Sequence, residues 1–407
     1  MDLLKKKNNI DQWLVVLGIF AHRLEVIFLL ITLFILINRH RTILLSRKIL
    51  ICFLLIFITS FISITLLNYD FSFFFKQYSV ILFYCIVYSF FFQSNKYDLV
   101  NIFSKYIKIC YLVSILGLVQ FVVYVISQIN IFSFINKASS LSGTQLSRIS
   151  SFTSEPSNLA VLLVPAIAYY LFSDTKSSKT LINYKKRYFL IILVVAILTF
   201  SSIFYFSLFL MLLFKVIFLR KNKLVKKSLI VMFFFSVTLI LNNPSKQIDY
   251  SDYGIFKNNI AKIDQALENV NKLDYESIDG LSISVFATLV NLSVAVKSPN
   301  RISGTGLGTH EQNYESIYPL SSGYVAKNTK DAYSLATRVF SEFGIIGLIL
   351  LITFFVKYFN KHSFINMGVL FLLISLSLRG GNFVLYGVIF FFFLYYHTRL
   401  KTTNNKL

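Results

Sequence analysis

Apolar runs long enough to cross a membrane, or nearly so, recur along the chain, and short polar breaks rich in Lys and Arg separate them. The first run, "WLVVLGIFAHRLEVIFLLITLFILIN", contains His22, Arg23 and Glu25, and reads as one helix or as two short ones joined at "AHRLE". Charge decides between them. The start "MDLLKKK" and the next break "NRHRTILLSRK" are both basic, and basic short loops stay cytoplasmic. Both can do so only with an even number of helices between them, so two short helices with a bend at 22–25 are expected. Later runs predict helices near 49–67, 78–93, 107–128 and 157–172. Between these, "NYDFSFFFKQ" is expected as an outer loop and "SNKYDLVNIFSKYIK" as an inner one. The run "YFLIILVVAILTFSSIFYFSLFLMLLFKVIF" is too long for one span and is expected to fold back at "TFSS". A helix near 229–242 precedes a long polar segment, 243–337, and helices near 339–357, 364–378 and 383–397 follow it. The expected fold is all-α: a polytopic integral membrane protein of about twelve spanning helices with both ends cytoplasmic. It divides into helices 1–9 over 1–242, a large, partly helical outer loop over 243–337, and helices 10–12 with a basic tail over 338–407.

Composition narrows the class. Of 407 residues, 56% are hydrophobic and 14% charged, against about 25% charged in soluble domains. The net charge of +22 would suggest nucleic acid in a soluble protein. Here it belongs to the cytoplasmic breaks, and no nucleic-acid partner is expected. Cys52, Cys85 and Cys110 lie in or beside apolar runs, without the spacing of a metal site or a disulfide framework. The N-terminal stretch has no small-residue cleavage site and reads as a cytoplasmic tail. No internal repeat of the transporter kind is visible.

The long outer segment holds two helix candidates. Phe256, Ile260, Ile263, Leu267, Val270 and Leu273 form one apolar stripe. The stretch "LSISVFATLVNLSVAVKSPN" is a second helix and not a span, because a span would turn the basic C-terminal tail outward. "RISGTGLGTHEQNYESIYP" follows. Gly304, Gly306 and Gly308 allow a tight, exposed backbone path. No preceding strand is present, so a dinucleotide-binding fingerprint fails. The loop can still offer backbone N–H groups to an anion beside Arg301 and His310.

Charges also stand at two helix mouths: Arg148 and Glu155 in "RISSFTSEPSNLA", Arg338 and Glu342 in "TRVFSEFGIIGL". Charge at the edge of hydrocarbon is costly and usually functional. Plainer readings stand beside this one. Arg148 can be a snorkelling anchor, His310 a solvated loop residue, and Arg148 and Glu155 an ion pair with each other. Glu342 can simply pair with Arg338 four residues earlier. Pro156 fits the first turn of a helix with Ser154 as its N-cap.

Taken in order, "RISSFTSEPSNLA" before a helix, "GTGLG" in the outer loop and "SEFGIIGL" at the next helix resemble the Wzy/O-antigen ligase-like superfamily of bacterial polysaccharide polymerases and ligases. In topology the likeness covers the whole chain. It implies an enzyme of the inner (plasma) membrane, a metal-independent glycosyltransferase with no cofactor. Its substrate would be glycan carried on undecaprenyl diphosphate, transferred at the outer face, and a chain-length regulator would be a partner. Ligases of the family carry a His-Asn pair shortly before the Glu-x-Gly. The corresponding "KDAYSLATRVFSEFG" has no histidine, which favours a polymerase. The arginine that many relatives place at the start of the second loop helix is absent from "LSISVF".

The chemistry suits these residue types. A diphosphate leaving group gains negative charge, and an arginine fork matches phosphate oxygens. Arg148 is the first candidate for that role, then Arg301 and Arg338. The acceptor is a sugar hydroxyl that a base would activate, with Glu155 and His310 as candidates. No carboxylate cluster suggests a divalent metal. Two rivals stand: a ligase with the same chemistry, and a flippase for lipid-linked oligosaccharide. The flippase would need charges inside its helices, whereas here they lie mostly at helix ends.

Overall fold

A computed structural model describes residues 10–21, 23–39, 47–133, 135, 148–173, 186–216, 283–318 and 328–404. Among these the chain is all-helical, 78% helix with no strands. The expected helix near 229–242, the apolar stripe at 256–273 and His22 lie outside the described residues.

The N-terminal run is two helices, α1 (Ile10–Phe20) and α2 (Glu25–Arg39), bent where the charges stand. Arg39 at the end of α2 lies 3.5 Å from Asp11 at the start of α1. The two therefore form a hairpin whose open ends share one end of the bundle. The 11 residues of α1 reach about 16 Å, so the bend stops inside the bundle, where buried Glu25 accepts a hydrogen bond from Tyr88 Oη at 3.2 Å.

Helices α3 (Arg47–Leu67) and α4 (Phe71–Ser94) are joined by only three residues, so the ten-residue outer loop expected at 68–77 is mostly helix. The Asp70 side chain accepts from the Ser72 N–H and starts α4 three residues past α3, and tilted ring contacts among Phe71, Phe74 and Phe75 run along its first turns. The expected inner loop at 94–108 is likewise corrected. Asp98 caps α5 (Leu99–Ser127) through the Asn101 N–H, and the polar-looking stretch is its first turns. Next come α6 (Pro156–Phe172), then α7 (Lys186–Leu198) and α8 (Ser202–Phe214), which turn at "TFS" as expected. The C-terminal part contains α9 (Ile283–Lys297), α10 (His310–Ile317), α11 (Leu335–Tyr358), α12 (Phe364–Leu378), a 3-10 turn (Leu385–Gly387) and α13 (Val388–Asn404).

Helix α6 is the buried centre, packed on α7, α8 and most extensively on α12. A Cβ on Gly368 of α12 would stand 2.8 Å from the Pro165 carbonyl, so glycine there permits the close crossing. By contrast α3 shows lipid-like side chains on its exposed faces, among them Leu54, Leu55, Ile62 and Leu66. Among the described residues four helices are long and apolar enough to cross a membrane, namely α3, α4, α5 and α11. Several others are apolar but shorter. These helices mark the chain as a membrane protein.

The α3–α4 turn, the start of α6, the α7–α8 turn, the start of α11 and the break after α12 all lie at one end of the bundle. The opposite end holds Asp11, Gln12 and Asn95 in one hydrogen-bonded group.

Candidate functional site

The candidate residues gather at the first of these ends, in two separate groups. The buried group is built on a break in α11. Gly344 takes φ 65° and ψ −164°, a conformation open essentially to glycine alone. The break frees backbone groups on both sides, and the glycine loop uses them. Ile345 and Ile346 donate to the carbonyls of Arg301 and Ile302, and Thr305 and Gly306 donate to those of Ser341 and Glu342. The glycines are therefore buried packing points and not the exposed path expected from sequence. A Cβ on Gly304 would lie 2.3 Å from the Glu342 carbonyl, and one on Gly308 would lie 2.9 Å from that of Phe73.

Within this group Arg338 Nε meets Glu342 Oε1 at 3.0 Å, the i,i+4 pair that is the plainer of the two readings of these residues. Arg338 Nη1 donates to the Gly381 carbonyl at 3.1 Å, and its guanidinium lies over the Phe383 ring at 4.4 Å. The Glu342 carboxyl lies against the backbone of Gly308 and His310, and its Oε2 makes no hydrogen bond among the described residues.

His310 is fully buried at the start of α10, which corrects its placement as a loop residue open to substrate. Asn291 of α9 donates to the Ala287 carbonyl, which turns its Oδ1 to His310 Nε2 at 2.8 Å. The imidazole is thereby held as the Nε2–H tautomer. Burial, and then Arg338, push its pKa down from 6.5 to about 3. The unfolded chain therefore binds this proton more readily than the fold does. The stabilising contribution is complete above about pH 6.5, and each unit below that costs about 1.4 kcal/mol until the folded value is reached. Thermal melts between pH 7 and pH 4 should show a steeper acid decline for wild type than for His310→Gln, and superimposable declines would contradict this placement.

The second group is partly open. The hydroxyl run before α6 pins the backbone: Ser150 and Ser151 donate their N–H groups to Gln120, and Thr153 Oγ1 bonds the Ser150 and Glu155 carbonyls. Arg148 is thereby set against the α7–α8 turn, with Nε 3.0 Å from the Thr199 carbonyl and Nη2 3.3 Å from that of Phe200. Burial draws the Arg148 pKa down from its ordinary value, Arg379 adds to that effect, and Glu155 opposes it. Glu155, and not Ser154, is the N-cap of α6, and its side chain makes no capping bond. Ser154 instead bonds Tyr386 Oη, which also accepts from Asn158. The Glu155 carboxylate lies 3.5 Å from Arg379 Nη2 and 3.1 Å from Ser157 Oγ. Its ion-pair partner is Arg379, not Arg148.

Arg301 stands apart, with an exposed side chain and a backbone carbonyl bound to α11. Arg379 and Tyr386 were not singled out from sequence. The signal was present for Arg379, a lone charge at an apolar helix end in "SLSLRGGNF", the pattern that marked Arg148 and Arg338. Among the described residues no three His, Cys, Asp or Glu side chains gather as a metal site would require. No family model matches the chain, and no curated protein or solved structure does.

Proposed function

We propose that the protein is a polysaccharide polymerase, transferring glycan from an undecaprenyl diphosphate carrier onto a second lipid-linked repeat unit at the outer face of a bacterial inner membrane. One observation carries the reading: a half-buried arginine, Arg148, stands beside a second arginine and a carboxylate at the partly exposed mouth of the most buried helix. A leaving diphosphate needs fixed positive charge where its own charge grows. The acceptor needs a carboxylate within reach of its hydroxyl, and Glu155 is the exposed one. His310, held neutral and internal, orders the loop behind the site, and Arg338 is engaged there with it. An apolar cavity of about 250 Å³, lined by Phe53, Ile81, Cys85, Leu307, Phe383 and Phe393, offers room for part of a polyprenyl tail. About twelve spans with both termini cytoplasmic, and a chain-length regulator as partner, complete the proposal.

The test is a polysaccharide gel from a deletion strain, complemented with wild type or Arg148→Ala at equal membrane abundance. Deletion should leave single repeat units, and wild type should restore the ladder. Arg148→Ala should lower polymerisation by roughly 10²-fold or more, the scale for losing one preorganised group that stabilises developing charge. A normal ladder from Arg148→Ala refutes the site. Long polymer left on its lipid carrier after deletion makes the protein a ligase.

A further inference from the structure

Arg379 closes α12 at the mouth of α6, and its position relative to Glu155 suggests more than an ion pair. Its side chain is 22% exposed, against 59% for that of Glu155. The Arg379 guanidinium lies over the Tyr333 ring, 5.5 Å from its centre, while the next residue, Gly380, donates its N–H to the Tyr333 carbonyl. The arginine is therefore held by the protein, and the carboxylate meets it from the more open side. The contact is loose: 3.5 Å between Nη2 and Oε2 exceeds the roughly 2.7–2.9 Å of a strong charge-assisted bond. Arg148 lies within electrostatic reach of both. Both guanidiniums feel the Glu155 carboxylate, Arg379 through the ion pair and Arg148 through the field of the mouth. Glu155 also has a second holder, because Ser157 Oγ donates to the same Oε2 at 3.1 Å. It can leave Arg379 without leaving the site.

We infer that Glu155 is a resident counter-anion, displaced from Arg379 when a diphosphate arrives, so that Arg148 and Arg379 together grip the diphosphate. The inference rests on the polymerase reading for its substrate but not for its test. In the proposed reaction the acceptor hydroxyl oxygen bonds to the anomeric carbon of the donor sugar as the carbon–oxygen bond to the diphosphate breaks. The bonding pair leaves with the diphosphate, and the acceptor proton passes to the released Glu155 carboxylate. Substrate binding would thereby free the base, so that without a bound diphosphate the carboxylate stays occupied.

The experiment titrates inorganic pyrophosphate into the full-length protein in detergent at neutral pH, with heat of binding as the readout. Wild type should bind. Glu155→Gln, which keeps the shape and removes the competing charge, should bind about tenfold tighter, and Arg379→Gln about tenfold weaker, the scale of one charge-assisted contact. The double variant should bind more weakly than Glu155→Gln alone, since Arg379 is then missing from the grip. Arg379→Lys keeps the charge but loses the fork and should fall between wild type and Arg379→Gln. It also serves if Arg379→Gln melts early. The exchange is overturned if wild type takes up no pyrophosphate, if Glu155→Gln binds no tighter than wild type, or if Arg379→Gln binds equally well. The expected titrations together with an unchanged ladder in the deletion strain would support the exchange and retire the polymerase.

Discussion

Glu342→Gln should leave little folded protein in the membrane. The substitution preserves shape but removes the negative charge from a pair whose side chains are 1% and 0% exposed. Arg338 would then remain charged and buried with no counter-charge, held only by neutral acceptors and the Phe383 ring. Breaking a buried pair from one side costs about 3–5 kcal/mol, against a total stability of about 5–15 kcal/mol. Arg338→Lys should fare little better, because one ammonium cannot reproduce both the Nε contact to Glu342 and the Nη1 contact to Gly381. Replacing both partners is a different matter, since well-packed apolar groups often substitute for a buried pair at little cost. Arg338→Met with Glu342→Met should therefore recover much of the lost melting temperature. If the double variant also restores the polysaccharide ladder, Arg338 is a structural arginine. If it folds and gives no ladder, Arg338 returns to the residues proposed to bind the diphosphate.

Gly344→Ala should be as damaging, for a steric reason. An alanine Cβ would stand 2.3 Å from the Ile302 carbonyl, on a residue with φ 65°. Relief requires either straightening α11 or expelling the loop. Straightening would return the N–H groups of Ile345 and Ile346 to helical acceptors and take away the carbonyls that Thr305 and Gly306 now use. Gly304→Ala meets the same wall from the other side, 2.3 Å from the Glu342 carbonyl at φ 78°. Each should cost more than about 3 kcal/mol, combining overpacking with a forbidden backbone angle. Ser303→Ala, exposed on the same loop, should change stability by less than about 0.5 kcal/mol. Melting temperatures of the three purified variants in one detergent would decide it, and a wild-type melt for Gly344→Ala would show that α11 does not need its break.

The two groups differ in how far they could be read in advance. Arg338 and Glu342 are four residues apart on a helix, so their pairing is local geometry. Arg379 and Glu155 are separated by 224 positions, and nothing periodic connects them. His310 sits in a stretch whose polar residues, "THEQNYES", look like a solvated loop. One side of this stretch is internal, with His310, Asn313 and Tyr314 buried, while Glu315 and Ser316 stay exposed. Asn313 Nδ2 reaches both Thr305 Oγ1 and Ser341 Oγ, and its Oδ1 accepts from Tyr69 Oη.

By itself the sequence determined the helical class, the bend at "AHRLE", the fold-back at "TFS", the Pro156 start of α6 and the Arg338–Glu342 pair. The bend follows from the basic stretches flanking the first apolar run, and the others from properties acting over a few residues: apolar length, a missing N–H, or the 3.6-residue turn. Only the tertiary structure decided that α4 and α5 run through stretches expected as loops, that the glycines fill a helix break, that His310 is internal, and that Glu155 faces Arg379. These depend on which backbone fits against which across tens or hundreds of positions. That is a matter of packing and of satisfying buried polar groups, and it leaves no periodic mark in the chain.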